Sequence, residues 1–144
     1  MRHYRAVRFA ALLLAVFALA GCGGHKAQTP EQVVRAWSAA LNRDDNAAAG
    51  ALFAKDAQVI QGDVTLLHTK DEATHWNSLL PCGGTIIGIT DQAKGELLVV
   101  FRLQERKFHV CDGPSDKAAA VFRVEHGKIV LWHQVPPPPA AATV

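Results

Sequence analysis

His133 is the side chain best suited to acid–base chemistry, because an imidazole changes its charge near neutral pH. It lies near the end of a strand predicted over residues 128–135. Alternation along the strand places His133 on the face that packs under the helices. That face also carries four apolar residues, Phe122, Val124, Ile129 and Leu131. His133 is therefore the candidate catalytic residue; the alternative is that it sits at the edge of the core with a hydrogen-bond partner.

A second group of chemically capable side chains consists of His68, Glu72 and His75. The spacing of Glu72 and His75 places two metal ligands on one helical face. A metal site between helices needs two such pairs and further carboxylates. The Glu72 side chain is also needed for the N-terminal capping box of its own helix. The sequence therefore predicts no metal site and no cofactor.

The sequence lacks the residues that several other kinds of catalysis and binding require. The sole tyrosine, Tyr4, lies in the N-terminal leader, and no Ser or Cys stands in a nucleophile motif such as G-x-S-x-G. The chain has 15 Lys and Arg against 13 Asp and Glu, and three of the arginines also lie in the leader. After the leader, the sequence contains no Lys/Arg cluster and no Gly-rich phosphate-binding loop. The composition argues against a nucleic-acid partner, and a binding role is favoured over an enzymatic one.

The N-terminus has the features of a bacterial secretion signal. Three arginines precede an apolar run over residues 9–20, which is shorter than the roughly 20 residues that span a bilayer. The Leu-Ala-Gly-Cys junction at residues 19–22 resembles the lipobox, in which the cysteine receives a diacylglyceryl group. The alternative is a plain secretory signal with an incidental cysteine. We expect residues 1–21 to be removed and Cys22 to anchor the protein at the extracytoplasmic face of the cell membrane.

The rest of the chain divides into three parts. Residues 22–28 are small and polar, which suits a tether. Residues 136–144 begin with four prolines and end in small apolar residues, which suits an extended tail. Residues 29–135 lie between them and have the length of one domain.

Cys82 and Cys111 remain once Cys22 carries lipid. An exported chain resides in an oxidising compartment, where two such thiols form a disulfide. If the strands that begin near residues 85 and 96 form a hairpin, both sulfurs lie at one end of the sheet. We therefore predict a Cys82–Cys111 disulfide, worth on the order of 3 kcal/mol in the chain-entropy model. The alternatives are two separate buried thiols or a metal site.

Three helices are predicted in the N-terminal half. The first begins with a capping box at residues 29–32 and runs to about Arg43. Asp44 and Asp45 can cap a second, shorter helix, whose apolar residues are Ala48, Ala51, Leu52 and Phe53. The third begins with a capping box at residues 69–72 and ends before Pro81. Its apolar stripe consists of Ala73, Trp76, Leu79 and Leu80.

Strands dominate the second half, where the apolar pattern has a period of two. Four strands are predicted there, over residues 85–90, 96–104, 119–125 and 128–135, and a small hairpin over residues 57–60 and 64–67 precedes the third helix. The turn His126-Gly127 would pair Glu125 with Lys128 and Phe122 with Leu131. Helices followed by antiparallel strands predict an α+β fold, with helices on one face of a curved sheet.

The opposite face of the last hairpin is predicted as a homodimer surface. Its residues are Val121, Arg123, Glu125, Val130, Trp132 and Gln134, joined by Leu98, Val100 and Arg102 from the neighbouring strand. A mixed apolar and charged face with an outward tryptophan suits an interface between subunits. The alternative is a half-covered solvated face across which Trp132 lies flat.

Three stretches resemble a known family. The opening helix at residues 29–41, the segment Phe-Ala-Lys-Asp-Ala-Gln-Val at residues 53–59 and the hairpin at residues 122–129 are similar to SnoaL-like members of the nuclear transport factor 2-like superfamily. The resemblance implies a cone-shaped α+β domain, with about three helices over a bent, mostly antiparallel sheet that often encloses a pocket and often dimerises. It implies no single function, because the fold hosts isomerases, cyclases, dehydratases and binding modules.

Within such a cone we expect a pocket lined by bulky side chains. The predicted lining residues are Trp37, Trp76, Phe101 and His133. The leading hypothesis is a membrane-anchored, non-enzymatic module that binds a small apolar ligand or a partner protein. The alternative is a SnoaL-like enzyme in which His133, with Glu105 or Asp63, abstracts a proton next to a carbonyl.

Overall fold

Residues 26–140 are described by a computed structural model; the predicted signal peptide, Cys22 and the last four residues lie outside them. The helices are α1 (Pro30–Asn42), α2 (Asn46–Ala51) and α3 (Lys70–Ser78). The strands are β1 (Phe53–Gln61), β2 (Asp63–Leu67), β3 (Gly83–Asp91), β4 (Glu96–Gln104), β5 (Lys117–Glu125) and β6 (Lys128–Val135). Among these residues, no helix has both the length and the apolar character required to cross a lipid bilayer.

Each helix start has a predicted N-cap residue, but one of the two predicted capping boxes is incomplete. Thr29 and Gln32 exchange side-chain and backbone hydrogen bonds of 2.9 and 3.2 Å, and this capping box opens α1. Asp45 accepts from the Ala48 N–H at the start of α2. Thr69 accepts from the Glu72 N–H at the start of α3, but the Glu72 carboxylate accepts from His68 N instead of completing the box. The three predicted helices are therefore present.

Two helix ends differ from the predictions. The second helix ends at Ala51, and Phe53 is the first residue of β1. In α3 the predicted stripe included Leu79, which is instead 64% exposed, whereas Asn77 is fully buried. Asn77 is satisfied in the core because it donates to the Ala73 carbonyl and accepts from Trp37 Nε1 at 2.8 Å. Asn77 therefore links α3 to α1, and a buried polar residue with both bonds satisfied interrupts an apolar pattern without disrupting the fold.

The six strands form one curved sheet in the order β2-β1-β6-β5-β4-β3. All neighbours pair antiparallel except β1 and β6, which are parallel. The helices pack on one face, where α1 contacts β3, β5 and β6. The predicted α+β architecture, three helices on a mostly antiparallel curved sheet, is confirmed.

A β-bulge in β6 reverses the faces predicted for the end of that strand. The turn at His126-Gly127 does pair Glu125 with Lys128, but Phe122 pairs with Trp132 and not with Leu131. The register shifts because Val130 is an extra residue between the pair Val124–Ile129 and the next pair. One extra residue moves every later side chain to the opposite face of the sheet.

The bulge places Trp132 in the core and His133 outside it. Trp132 is 6% exposed and belongs to the apolar cluster under the helices. The predictions of an outward Trp132 and an inward His133 are therefore wrong for the same physical reason. The outer face of β6 carries Leu131 and the half-buried His133, with Arg123 opposite Leu131. The homodimer itself stays a prediction.

Candidate functional site

A cavity of about 250 Å³ opens at the end of the sheet where β3 and β5 begin and β1, β4 and β6 end. α1 closes one side of it, the sheet forms another, and the segment after α3 and the loop between β4 and β5 complete the wall. Its lining consists of Trp37, Ser38, Leu41, Gln61, Leu80, Pro81, Cys82, Gly83, Gly84, Phe101, Leu103, Asp112, Ala118, Ala119, Ala120, Trp132 and Gln134. Most of these side chains are apolar, which is typical of small-molecule pockets.

Three aromatic rings form the inner end of the cavity. Trp37 packs edge-on against Phe101 at 6.1 Å between ring centroids, and its centroid lies 6.4 Å from that of Trp132. Trp76 lies behind Trp132, at 4.9 Å, and is not part of the lining. Of the four pocket residues predicted from the sequence, the structure brings Trp37 and Phe101 to the cavity and leaves Trp76 and His133 away from it.

The start of β3 is held against α1 so closely that only glycine fits. Gly84 N donates to Asn42 Oδ1 at 2.8 Å, and the Gly84 carbonyl accepts from Asn42 Nδ2 and Ser38 Oγ, each at 3.0 Å. A Cβ at Gly83 would lie 2.1 Å from Asn42 Oδ1, and one at Gly84 would lie 3.0 Å from the Phe101 Cβ. These contacts fix the helical wall of the cavity to its sheet wall.

The mouth of the cavity is braced by the predicted disulfide. Cys82 and Cys111 are joined, with 4.5 Å between their Cα atoms, so the prediction is confirmed. The bond holds the loop between β4 and β5 against the segment that follows α3. Asp112 Oδ1 lies 3.3 Å from Cys82 Sγ. Within residues 26–140 these three residues are the one group whose ligand atoms lie close enough for a metal, but both sulfurs are already bonded to each other.

Arg106 ties the same loop to two helix ends. Its guanidinium is fully buried and donates to the carbonyls of Leu41, Asn77 and Leu80, at 3.1, 2.9 and 2.6 Å. It also donates to the Asn46 side chain. The last carbonyls of a helix have no intrahelical partner, so Arg106 caps the C-terminal ends of α1 and α3 together. No sequence pattern predicted this role.

Asp44 balances the charge of Arg106. Arg106 Nη2 lies 2.7 Å from Asp44 Oδ1, and the Asp44 side chain is 5% exposed. Burial acts to raise the pKa of Asp44, but the Phe108 N–H, Arg106 and His109 outweigh it and lower the pKa below its ordinary value of 3.8. Burial lowers the pKa of Arg106, and Asp44 opposes that shift. The ion pair therefore fixes the loop that carries Asp112 to the mouth.

The residues proposed for proton abstraction are not brought together. His133 lies on the outer face of the sheet, as the β6 bulge requires. Glu105 and Asp63 are exposed, and neither lines the cavity. Asp112 at the mouth is the one lining residue, of those the structure describes, with an ionisable side chain that is not disulfide-bonded. The structure therefore does not bring His133, Glu105 and Asp63 together at the cavity.

Both histidines considered as metal ligands, His68 and His75, lie in or next to α3. His68 Nδ1 is 2.6 Å from Asp56 Oδ1, and both side chains are more than half exposed. Asp56 adopts a φ of 60° where β1 bulges against β6, so this aspartate shapes the strand. Glu72 is held by the His68 N–H, and His75 is exposed in the last turn of α3. The exposed His68–Asp56 pair was not predicted from the sequence, and it lies away from the cavity.

Neither a protein-family model nor a curated protein matches this sequence. Solved structures do match in shape. An NTF2-like protein of unknown function from Cytophaga hutchinsonii is 12% identical, with a TM-score of 0.61 over 77% of this chain and 92% of that one. A polyketide cyclase candidate from Sinorhizobium meliloti is 18% identical, with a TM-score of 0.59 over 74% of this chain and 95% of that one.

Another solved structure that matches this chain in shape contains a ligand. It is a hypothetical protein with a ketosteroid isomerase-like fold from Catenulispora acidiphila, in complex with trimethylamine. It is 19% identical, with a TM-score of 0.54 over 76% of this chain and 87% of that one. Identities this low support a shared fold and leave the activity to be argued from the site. The chain therefore has the nuclear transport factor 2-like α+β fold that its sequence resembles.

Proposed function

We propose that this protein is a membrane-tethered binding module that holds a small, mainly apolar molecule in the cavity between α1 and the sheet. The cavity itself is the observation that carries the proposal. Its volume of about 250 Å³ lies just below the usual range of about 300–1,000 Å³ for small-molecule pockets, so it suits only a compact ligand. Its aromatic inner end offers apolar contact area, and its open mouth gives access from solvent.

The composition of the lining favours binding over catalysis. Proton abstraction requires a base within hydrogen-bond reach of the reacting group. The ionisable lining side chain, Asp112, is exposed, whereas the rings against which an apolar substrate would lie are buried. Similarity to a polyketide cyclase candidate concerns the fold, so it does not supply the missing base.

A ligand titration tests this function. We expect α-methylstyrene, a small uncharged hydrocarbon, to shift the NMR signals of the lining residues of the folded domain. Ala118→Phe should abolish this effect, because Ala118 is a half-buried lining residue and a ring there fills the mouth. The matched control is Ala39→Phe on the exposed side of α1, which should bind as the wild type does. Equal binding by both variants would contradict the proposal.

The tether end of the domain lies away from the mouth. Thr29 and Pro30 border the turn between β3 and β4, at the opposite end of the sheet from the cavity. α1 then runs 13 residues, about 20 Å, toward the mouth. With lipid on Cys22, this geometry would direct the mouth away from the membrane, so the ligand would enter from the aqueous phase.

Cys22→Ala tests the anchor. If the Leu-Ala-Gly-Cys junction is processed as a lipobox, the variant should leave the membrane fraction or retain its uncleaved signal, because Cys22 supplies the one thiol at this junction to which the lipid can be attached. Cell fractionation and the intact mass of the protein measure this. Unchanged membrane partition together with an unshifted mass, apart from the substitution itself, would refute lipidation.

A further inference from the structure

A second cavity, of about 400 Å³, lies at the end of the sheet opposite the first one. Its walls come from the starts of β1, β6 and α3 and from the last residues of α2. Lys55, Lys70 and Lys128 line it together with His68, and no Asp or Glu belongs to its lining among the described residues. The lining therefore carries at least three positive charges at neutral pH and no negative one.

The three lysines are available to a ligand. None of them forms an ion pair within residues 26–140. Lys128 Nζ donates to the Ala51 carbonyl at 2.6 Å, and both residues line the cavity, so this ammonium group lies at the wall and keeps two further donors. Lys55 and Lys70 are exposed, and their flexible four-carbon stems let the ammonium groups turn toward a shared ligand.

Three carboxylates lie close to these lysines in the sequence, but none of them lines the cavity. Asp56 Oδ1 lies 2.6 Å from His68 Nδ1, and Glu72 accepts from the His68 backbone N–H at 2.7 Å. Asp71 follows Lys70 and is also outside the lining. The positive charge of the lining is therefore not cancelled by ion pairs, and it favours an anion in the cavity.

The charge of the lining also determines the kind of ligand. A lysine ammonium group acts on phosphate as a point charge, and three such groups around one cavity match an anion with several charged oxygens. An uncharged apolar molecule gains nothing from these groups. The two cavities therefore differ in the ligands they suit, because the described lining of the first contains no Lys, Arg or His.

The position of the second cavity favours a phosphate at the membrane surface. The cavity and Thr29, where the folded domain begins, both lie at the end of the sheet away from the first cavity. The seven residues of the tether, 22–28, span at most about 25 Å when extended. With lipid on Cys22, the lysines would lie within reach of the headgroups, and an anionic membrane attracts lysines over about one Debye length, roughly 8 Å.

We infer that the second cavity binds a phosphate group, and that this group belongs to the headgroup of an anionic membrane lipid. The site is separate from the apolar cavity and does not depend on any ligand there. The lipid source of the phosphate rests on the proposed membrane anchor, whereas the anion site itself rests on the three lysines.

Two probes test the inference on the mature protein in uncharged dodecyl maltoside micelles. Phosphatidylglycerol added to the micelles should shift the amide NMR signals of residues 54–55 and 69–70, and phosphatidylcholine, whose headgroup is neutral overall, should not. Inorganic phosphate should shift the same signals but bind more weakly. Lys55→Gln combined with Lys70→Gln should weaken both probes about fivefold or more, because two ion pairs are lost. Lys128 is left unchanged because it also holds the Ala51 carbonyl.

Lys107→Gln combined with Lys117→Gln is the matched control. It removes the same charge from exposed lysines in and next to the loop between β4 and β5, at the other end of the sheet, and should change both affinities less than twofold. Equal weakening by the two double variants would overturn the site, since net charge alone would then explain binding. Binding of inorganic phosphate without phosphatidylglycerol would uphold the site and overturn its lipid source. No shift with either probe would overturn the inference and leave the apolar cavity to its own test.

Discussion

Replacing Arg106 by Met is expected to destabilise the domain by about 3–5 kcal/mol, the cost of removing one partner of a buried ion pair. Asp44, whose side chain is only 5% exposed, would lose its arginine partner and keep only the Phe108 N–H and His109 as partners. The carbonyls of Leu41, Asn77 and Leu80 would lose their donor at the same time. This loss is a large fraction of the total stability of an ordinary domain, about 5–15 kcal/mol.

Urea denaturation at neutral pH measures this effect, and two controls assign its cause. Arg106→Lys keeps a charge near Asp44 but cannot cap several carbonyls at once, so it should be intermediate in stability. Adding Asp44→Asn to Arg106→Met should recover part of the loss, because the buried charge is then gone. A loss below about 1 kcal/mol for Arg106→Met would contradict the capping role.

The pH dependence provides a second measure of the same pair. Because the folded pKa of Asp44 is lowered, its ionisation stabilises the fold above the ordinary value near 3.8 and ceases to do so as pH falls through the folded pKa. Arg106 is one cause of that lowering, so Arg106→Met should diminish the stability that wild type loses on acidification. Identical acid dependence in the two proteins would contradict this coupling.

Trp132→Glu is expected to prevent stable folding instead of dissociating a dimer. Truncation of a buried tryptophan alone costs about 3–5 kcal/mol, and this variant also buries a carboxylate against the indoles of Trp37 and Trp76. His133→Glu is the matched control, since the next residue along β6 lies on the outer face and the change should cost less than about 1 kcal/mol. Near-ultraviolet circular dichroism and urea denaturation compare the two. A Trp132→Glu protein that is folded and monomeric, beside a wild type that is dimeric, would support the interface predicted from the sequence and contradict the bulge.

The local elements were predictable because their signals are local. The cap at Thr29 and the turn at His126-Gly127 depend on residues within a few positions of each other, and both are present. The Cys82–Cys111 bond was predictable from compartment and hairpin topology together.

The bulge and the buried arginine were not predictable in this way. Residues 129–132 are four consecutive apolar residues, so alternation cannot decide where one extra residue enters the strand. The bulge places Trp132 at the cavity and His133 away from it, and the apolar pattern could not show where the bulge lies. Arg106 acts on carbonyls 26 to 65 residues away in the chain, and such contacts leave no pattern of spacing.

The resemblance predicted that a pocket exists but not what forms it. Trp37 and Phe101 were predicted to line the pocket because bulky rings fill such a cone. Trp132 lines it only because the bulge in β6 turns its side chain to the inner face. The polar character of the mouth depends on Asp112, whose place is set by the disulfide and by Arg106. The chemistry of the site thus follows from long-range contacts more than from any local motif.

The central claim is that the cavity under α1 is a ligand site, and intermolecular nuclear Overhauser effects with bound α-methylstyrene test it most directly. We predict contacts between the protons of the probe and the methyl groups of Ala118 and Ala120, together with the ring of Phe101, all of which line the cavity. The residues outside it that most invite non-specific contact are Phe108 and Val110, which are 75% and 82% exposed. Contacts confined to those two residues, or no contact with the cavity lining at saturating probe, would contradict the account.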